Sequence, residues 1–288
     1  MKITITGATG HLGTQIVKAL SQLVSASQLN LGVHTVAKAA KFADQGMTVT
    51  AMDYHDVDSL KPVLAESDVF IYVPSKSHDS YSRVSEFENV IQAAEASQVK
   101  HILVMGFIAD QVNNPFALSA FYGYVPRRLA ASRLRYTIIR NSLYADPLIP
   151  YLPELIARKN VIYPMADQAL SFISQADSAA AFAKVATTAE LLVNGKIYTL
   201  TQSQAYTLPA LAQVLSQVSK QPIGYQPVTL AQFEKLYNQG NEGHMLGSMY
   251  AGGAMGLLSE VSNDYDTIMG HPAQSLTAFL QTNLPEKA

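Results

Sequence analysis

Short apolar runs alternate with segments of helical periodicity through the first half of the chain. "KITITG" is rich in β-branched residues and reads as a buried strand. "HLGTQIVKALSQL" follows, with Leu12, Ile16, Val17 and Leu20 on one helical face. The alternation then repeats. Strands are predicted at 29–34, 47–53, 68–74, 100–106 and 135–141, and helices at 36–45, 57–67, 83–98 and about 117–133. Asp56 stands where an N-cap is wanted, and Gly46 where a helix must stop. "DVFIYVP" is almost wholly apolar, as a strand covered on both faces should be. Strands alternating with helices imply βαβ units and a parallel sheet.

The regularity ends near Asn141. "YADPLIPYLPELI" carries three prolines and predicts a departure from the sheet. Helices are expected at 175–189, about 208–219 and about 229–238, with a strand at 195–201. Residues 238–260, with Met245, Met249 and Met255 among glycines, read either as a mobile lid or as a loosely packed loop. The expected architecture is α/β. A Rossmann-type doubly wound parallel sheet occupies residues 1–145, with a returning segment at about 172–201. Residues 146–171 and 202–288 form a smaller C-terminal α/β lobe.

Composition narrows the classes. The 288 residues are 48% hydrophobic with a net charge of −2, so a packed core is affordable and no basic excess invites nucleic acid or an anionic membrane. The chain has no cysteine, which excludes disulfides and thiolate chemistry. No apolar run approaches the ~18 residues of a membrane span. A strand that starts at Lys2 leaves no signal peptide ahead of it, and the expected location is cytoplasmic. No metal is expected: His101 and His271 read as structural, and no H-E-x-x-H, Walker loop or G-x-S-x-G occurs. Glu86 and Glu88 read as the solvated face of a helix.

Gly7, Gly10 and Gly13 form G-x-x-G-x-x-G between the first strand and the first helix. A tight turn there wants a residue without Cβ clashes. A pyrophosphate also needs close backbone approach at a helix N-terminus, where N–H groups and the dipole favour negative charge. The third glycine lets helix and strand pack. Thr9, His11 and Leu12 complete this cofactor-binding turn. The end of the second strand holds no acid to select the 2′-hydroxyl of NAD(H). His34, Thr35 and Lys38 stand there and suit a 2′-phosphate, so NADP(H) is favoured over NAD(H); alternatively Lys38 is a solvated helix residue. Asp53 and Tyr54, at the end of the third strand, either contact adenine or cap a turn. Later strand ends bring Pro74, Ser75 and Gly106 to the cofactor side. Phe107, Asn141, Ser142, Leu143 and Tyr144 come to the substrate side, where Phe107 and Tyr144 would stack on a flat ring.

"ITGATGHLG", "AKAAKFADQGMTVTAMDYHD", "NVIQAAEASQVKHI", "YTIIRNSLY" and a late "GHP" together resemble the NmrA-like family of atypical short-chain dehydrogenases/reductases. The resemblance runs in register over almost the whole chain and is greatest to the family's bacterial quinone-oxidoreductase branch. It implies NADPH binding and a substrate cleft between core and lobe. It also implies direct hydride transfer to a quinone-like or small aromatic acceptor, without a flavin. His34 stands where that family commonly carries an arginine, and Lys38 matches a family lysine.

Two departures concern catalysis. Gly106 occupies the place of the usual Ser or Thr after the fifth strand, and Tyr-x-x-x-Lys is absent. In "FYGYVPRRLAAS" a family lysine aligns with Arg127, and Tyr122 lies five residues before it. Pro126 directly before Arg127 predicts a helix starting there. Tyr122 and Tyr124 are candidate proton donors or else cleft-wall packing, and Arg127 reads as a cofactor contact or surface charge. Two classes follow: a reductase, because a quinone needs placement more than acid catalysis, or a non-catalytic NADP(H)-binding redox sensor of the kind that gives the family its name. No feature of the sequence indicates an oligomeric state.

Overall fold

The computed structural model describes residues 1–238 and 242–284. The β-branched opening forms β1 (Ile3–Thr6), buried along its whole length. Helix α1 (His11–Leu20) buries Leu12, Gly13, Ile16, Val17 and Leu20, the face that its period marks. Next come β2 (Leu29–Val33), the short α2 (Ala40–Ala43) and β3 (Thr48–Ala51). Gly46 turns the chain into β3 at φ +87°, in the left-handed region that favours glycine. Helix α3 (Val57–Leu64) begins at Asp56, whose carboxylate accepts from the N–H groups of Asp58 and Ser59. Then β4 (Val69–Tyr72) leads to α4 (Ser80–Ala96), capped by Asp79. The alternating half closes with β5 (His101–Phe107), α5 (Ser119–Ala130) and β6 (Tyr136–Asn141).

Helix α5 bears out the helix expected at about 117–133 and corrects the start expected at Arg127: it begins at Ser119 and runs through Pro126. A proline removes one hydrogen bond and crowds the preceding turn. Burial of Phe121, Tyr122, Val125 and Leu129 offsets that loss.

The remainder comprises β7 (Leu143–Tyr144), α6 (Leu148–Arg158), β8 (Asn160–Val161), β9 (Ala169–Ile173), α7 (Gln175–Thr187), β10 (Lys196–Leu200), β11 (Ala205–Thr207), α8 (Leu208–Ser219), β12 (Gly224–Tyr225), α9 (Leu230–Leu236), α10 (Glu242–Ala254), α11 (Asp264–Met269) and α12 (Leu276–Asn283). The chain divides into two compact units. The first comprises residues 1–106, 123–140 and 175–198; the second comprises 107–122, 141–174 and 199–288.

The first unit is built on a seven-stranded sheet in the order β10-β6-β5-β4-β1-β2-β3. β1 pairs parallel with both β2 and β4, so that Ile5 lies opposite Leu31 on one side and Ile71 on the other. β2–β3 and β4–β5 are parallel too. Sequential order reverses between β1 and β4, which is the topological switch point of a doubly wound sheet.

The second unit contains a three-stranded sheet, β11-β9-β7, with β9 parallel to β7 and antiparallel to β11. Residues 242–254, expected within a lid or loose loop, form α10; positions 239–241 of that stretch lie outside the described residues. The glycines are packing sites. A Cβ on Gly243 would lie 2.2 Å from the Glu234 carbonyl oxygen, and one on Gly253 would lie 2.7 Å from Met165. Among the described residues, no helix is long and apolar enough to cross a membrane.

Candidate dinucleotide-binding site

The turn after β1 has the shape its glycines imply. Gly7 sits at φ +68°, and a Cβ there would press on the Val73 carbonyl oxygen and Cβ at 3.1 Å. A Cβ on Gly13 would lie 2.1 Å from the Gly7 carbonyl oxygen, and one on Gly10 would lie 3.3 Å from it. The Gly10 N–H donates to Gly7 O at 3.0 Å, and the first helical bond is Thr14 N to Gly10 O at 2.9 Å. Gly10 is the N-cap and supplies no side-chain hydrogen bond, so the N–H groups of His11, Leu12 and Gly13 end the helix without an intrahelical acceptor. Ala8 and Leu12 are buried, whereas His11 is exposed and Thr9 half-buried. The cradle fits a pyrophosphate: backbone donors, a positive helix end and no side chain in the way.

The neighbouring strand ends gather the polar groups. His34 follows β2 and is exposed, with Nδ1 3.5 Å from Thr35 Oγ1. Lys38 is exposed on the turn Val36–Ala39. Asp53, from the end of β3, lies 3.7 Å from His34 Nε2. An acid from the end of β3 therefore stands beside His34, although the end of β2 itself carries none. Asp53 also accepts from the His55 backbone N–H at 2.9 Å, and those His55 contacts hold its carboxyl below the usual range.

Tyr54 is buried, which pushes its phenol well up, and it donates to Val73 O at 2.7 Å. Its hydroxyl is thus spent on the strand end that abuts Gly7. Asn89 donates to the Tyr54 carbonyl at 2.9 Å.

After β4, half-buried Pro74 leads into Ser75, whose hydroxyl donates to Glu86. Glu86 is 1% exposed, the reverse of the solvated acid expected from sequence. It also accepts from Ser77 Oγ at 2.7 Å and lies 3.5 Å from His55 Nε2. Glu86, expected in solvent, meets His55, and Arg83 Nε donates to Ser77 O nearby; neither His55 nor Arg83 stands out in the sequence. The signal for Glu86 was present in helical spacing, because Arg83, Glu86 and Val90 share the buried face of α4.

Gly106 lies inside β5, where a Cβ would meet Ile138 Cγ2 at 3.0 Å. Packing against β6 thus accounts for the glycine. Arg127 is exposed and donates to its own helix at Gly123 O. Tyr124 donates to Glu88, and burial together with that carboxylate pushes its phenol up. Glu88 is in turn held by Arg128 Nε at 2.7 Å. Although partial burial raises the Glu88 carboxyl, hydrogen bonds from Arg128 and Tyr124 carry it below its usual range.

In the second unit, Tyr122 packs on Phe107 with ring centroids 5.6 Å apart, and Phe107 also meets Phe116. Ile108 N donates to Asn141 O at 2.9 Å, which brings the segments after β5 and β6 together. Asn141 is fully buried and donates to the Tyr144 hydroxyl at 3.2 Å. Buried Ser142 donates to Leu200 O, and Leu143 pairs with β9. Asn141, Ser142 and Leu143 are buried, Tyr122 is buried against Phe107, and Phe107 and Tyr144 are half-buried. Among the described residues, no group of His, Asp and Glu is arranged to hold a metal ion.

A doubly wound sheet with a glycine cradle at its switch point defines a dinucleotide-binding α/β protein. Residues 1–276 match the NmrA-like family, and the chain belongs to it. Quinone oxidoreductase 2 of Escherichia coli is 32% identical over 279 residues, covering 95% of this chain and 96% of that protein. The E. coli NADPH-dependent quinone oxidoreductase solved with NADPH superposes with a TM-score of 0.90 at 30% identity, covering 97% and 99% of the two chains. A Staphylococcus aureus protein described as a nucleoside-diphosphate-sugar epimerase superposes at 0.93 with 37% identity, covering 98% and 100%. The triphenylmethane reductase of Citrobacter sp. superposes at 0.90 with 27% identity, covering 99% of each.

Proposed function

We propose that this protein is an NADPH-dependent oxidoreductase that reduces quinone-like acceptors. The observation that carries the reading is the Gly7–Gly13 cradle at the β1–β4 switch point, shaped for a pyrophosphate. Its similarity to an NADPH-bound quinone oxidoreductase and to a dye reductase supports the choice of a flat, electron-poor acceptor.

The backbone N–H groups of His11, Leu12 and Gly13 bind the pyrophosphate. His34 and Lys38 bind the 2′-phosphate, with Asp53 tempering their preference for it. When bound, NADPH supplies the hydride that, with one proton from solvent, converts a quinone to its hydroquinone. The first product is a stabilised phenolate, so this chain needs no strong acid. Its aromatic residues Phe107, Tyr122 and Tyr144 place the acceptor, and Tyr122 is a candidate to donate that proton in place of solvent. We assign that role to the second unit and cofactor binding to the first. The Tyr-x-x-x-Lys usual in short-chain dehydrogenases is absent from "FYGYVPRRL", which weighs against a reaction that must take a proton from a substrate hydroxyl. We place the protein in the cytoplasm, as its sequence leads one to expect.

A panel of benzoquinones and naphthoquinones, offered with NADPH and with NADH, tests the reading. Rapid oxidation of NADPH by at least one quinone is expected. NADPH binding with no acceptor turned over would overturn the enzyme and leave a redox sensor.

A further inference from the structure

We propose that Glu86 is a positioning residue for the cofactor, acting through Ser75 and Ser77; the inference rests on the NADPH reading above. The segment after β4 starts against the glycine turn, because Val73 is the residue that a Cβ on Gly7 would strike. Tyr54 pins the Val73 carbonyl from the other side. The next residues are gripped by one face of α4. Glu86 accepts both serine hydroxyls, Ser77 at 2.7 Å, and Arg83 Nε donates to Ser77 O at 2.7 Å. Ser77 N–H donates back to Ser75 Oγ at 3.1 Å and closes the turn.

Glu86 and Arg83 are 1% and 8% exposed. Burying a carboxylate is costly unless donors surround it, and a surface loop needs no such anchor in order to fold. A buried carboxyl that accepts two hydroxyls from one loop gives that loop a single position. Both serine hydroxyls point at Glu86, so the loop offers a ligand its backbone and Pro74, already in place beside the pyrophosphate turn. Preorganisation of this kind appears as affinity. His55, 3.5 Å from Glu86 and 3.0 Å from Asp53, ties the loop after β3 to the same anchor.

Glu86→Ala, Glu86→Gln and the double variant Ser75→Ala/Ser77→Ala test this by fluorescence titration with NADPH, a readout independent of turnover. Glu86→Ala is expected to weaken NADPH binding by about tenfold, the scale of one charge-assisted hydrogen bond. Glu86→Gln, which keeps an acceptor, should recover part of the loss, and the KM for the quinone should stay unchanged. Val90→Ala, at a fully buried position on the same helix, should lower the melting temperature without moving NADPH affinity. Should Glu86→Ala fail to fold, the double serine variant carries the same expectation. Folded variants that bind NADPH within about twofold of wild type would overturn the proposal alone. A wild-type protein that does not bind NADPH would overturn the cofactor reading and this inference with it.

Discussion

A Cβ placed on Gly13 would lie 2.1 Å from the carbonyl oxygen of Gly7. The first turn of α1 and the end of β1 touch there through backbone alone. Gly13→Ala must push them apart, at a cost of about 2–3 kcal/mol for overpacking. NADPH binding should be lost as the cradle widens. Gly10→Ala meets the same oxygen at 3.3 Å and should keep most of its stability. Urea melts and cofactor titrations of the two variants check the contrast.

Under the proposed reading, Asp53 and His34 set opposite biases at the 2′ position. Asp53→Asn removes a half-exposed carboxylate 3.7 Å from His34 and should raise the NADPH-to-NADH affinity ratio by about two- to fivefold, the weight of an exposed ion pair. His34→Ala should lower that ratio. Paired titrations with the two cofactors check both signs, and the effects should shrink at high salt.

Tyr124→Phe should leave quinone turnover unchanged. Its hydroxyl is committed to Glu88, and its phenol is held protonated. The cost should appear in stability, at about 1 kcal/mol for one lost hydrogen bond. A drop in kcat with unaltered melting would contradict this assignment.

His101 makes stability depend on pH. Burial drives its imidazole down to about 4, and Nε2 meets Thr137 Oγ1 at 2.9 Å. Between about pH 6.5 and about 4 the unfolded chain takes up a proton that the folded chain refuses. Stability therefore falls as pH falls through that window, by up to about 3 kcal/mol, and levels off below it. His101→Gln should flatten this limb of the stability–pH curve in denaturant melts.

Much of the first unit was legible because its signals are local. β-branched runs, the Leu12–Ile16–Leu20 period, the Asp56 cap and Gly46 each act within a few residues of themselves. The glycine cradle was legible for the same reason. What escaped depends on contacts distant in sequence. Glu86 reads as a solvated acid until Ser75 and Ser77 fold back onto it. Asp53 reads as an adenine contact or a turn cap until the fold brings it beside His34. The stretch 242–254 reads as a lid or a loose loop because glycine disfavours a helix, yet its glycines allow a helix to lie against Glu234 and Met165. Pro126 reads as a helix start because the packing that tolerates it is tertiary.

The central claim is that this chain holds NADPH and passes its hydride directly to a quinone. Flavin-free protein loaded with one equivalent of NADPH and mixed with benzoquinone tests it in a single turnover. The account predicts loss of nicotinamide absorbance matched one for one by hydroquinone, faster than without protein, and slowed by deuterium at the transferring position. NADPH that stays bound and unoxidised would contradict it.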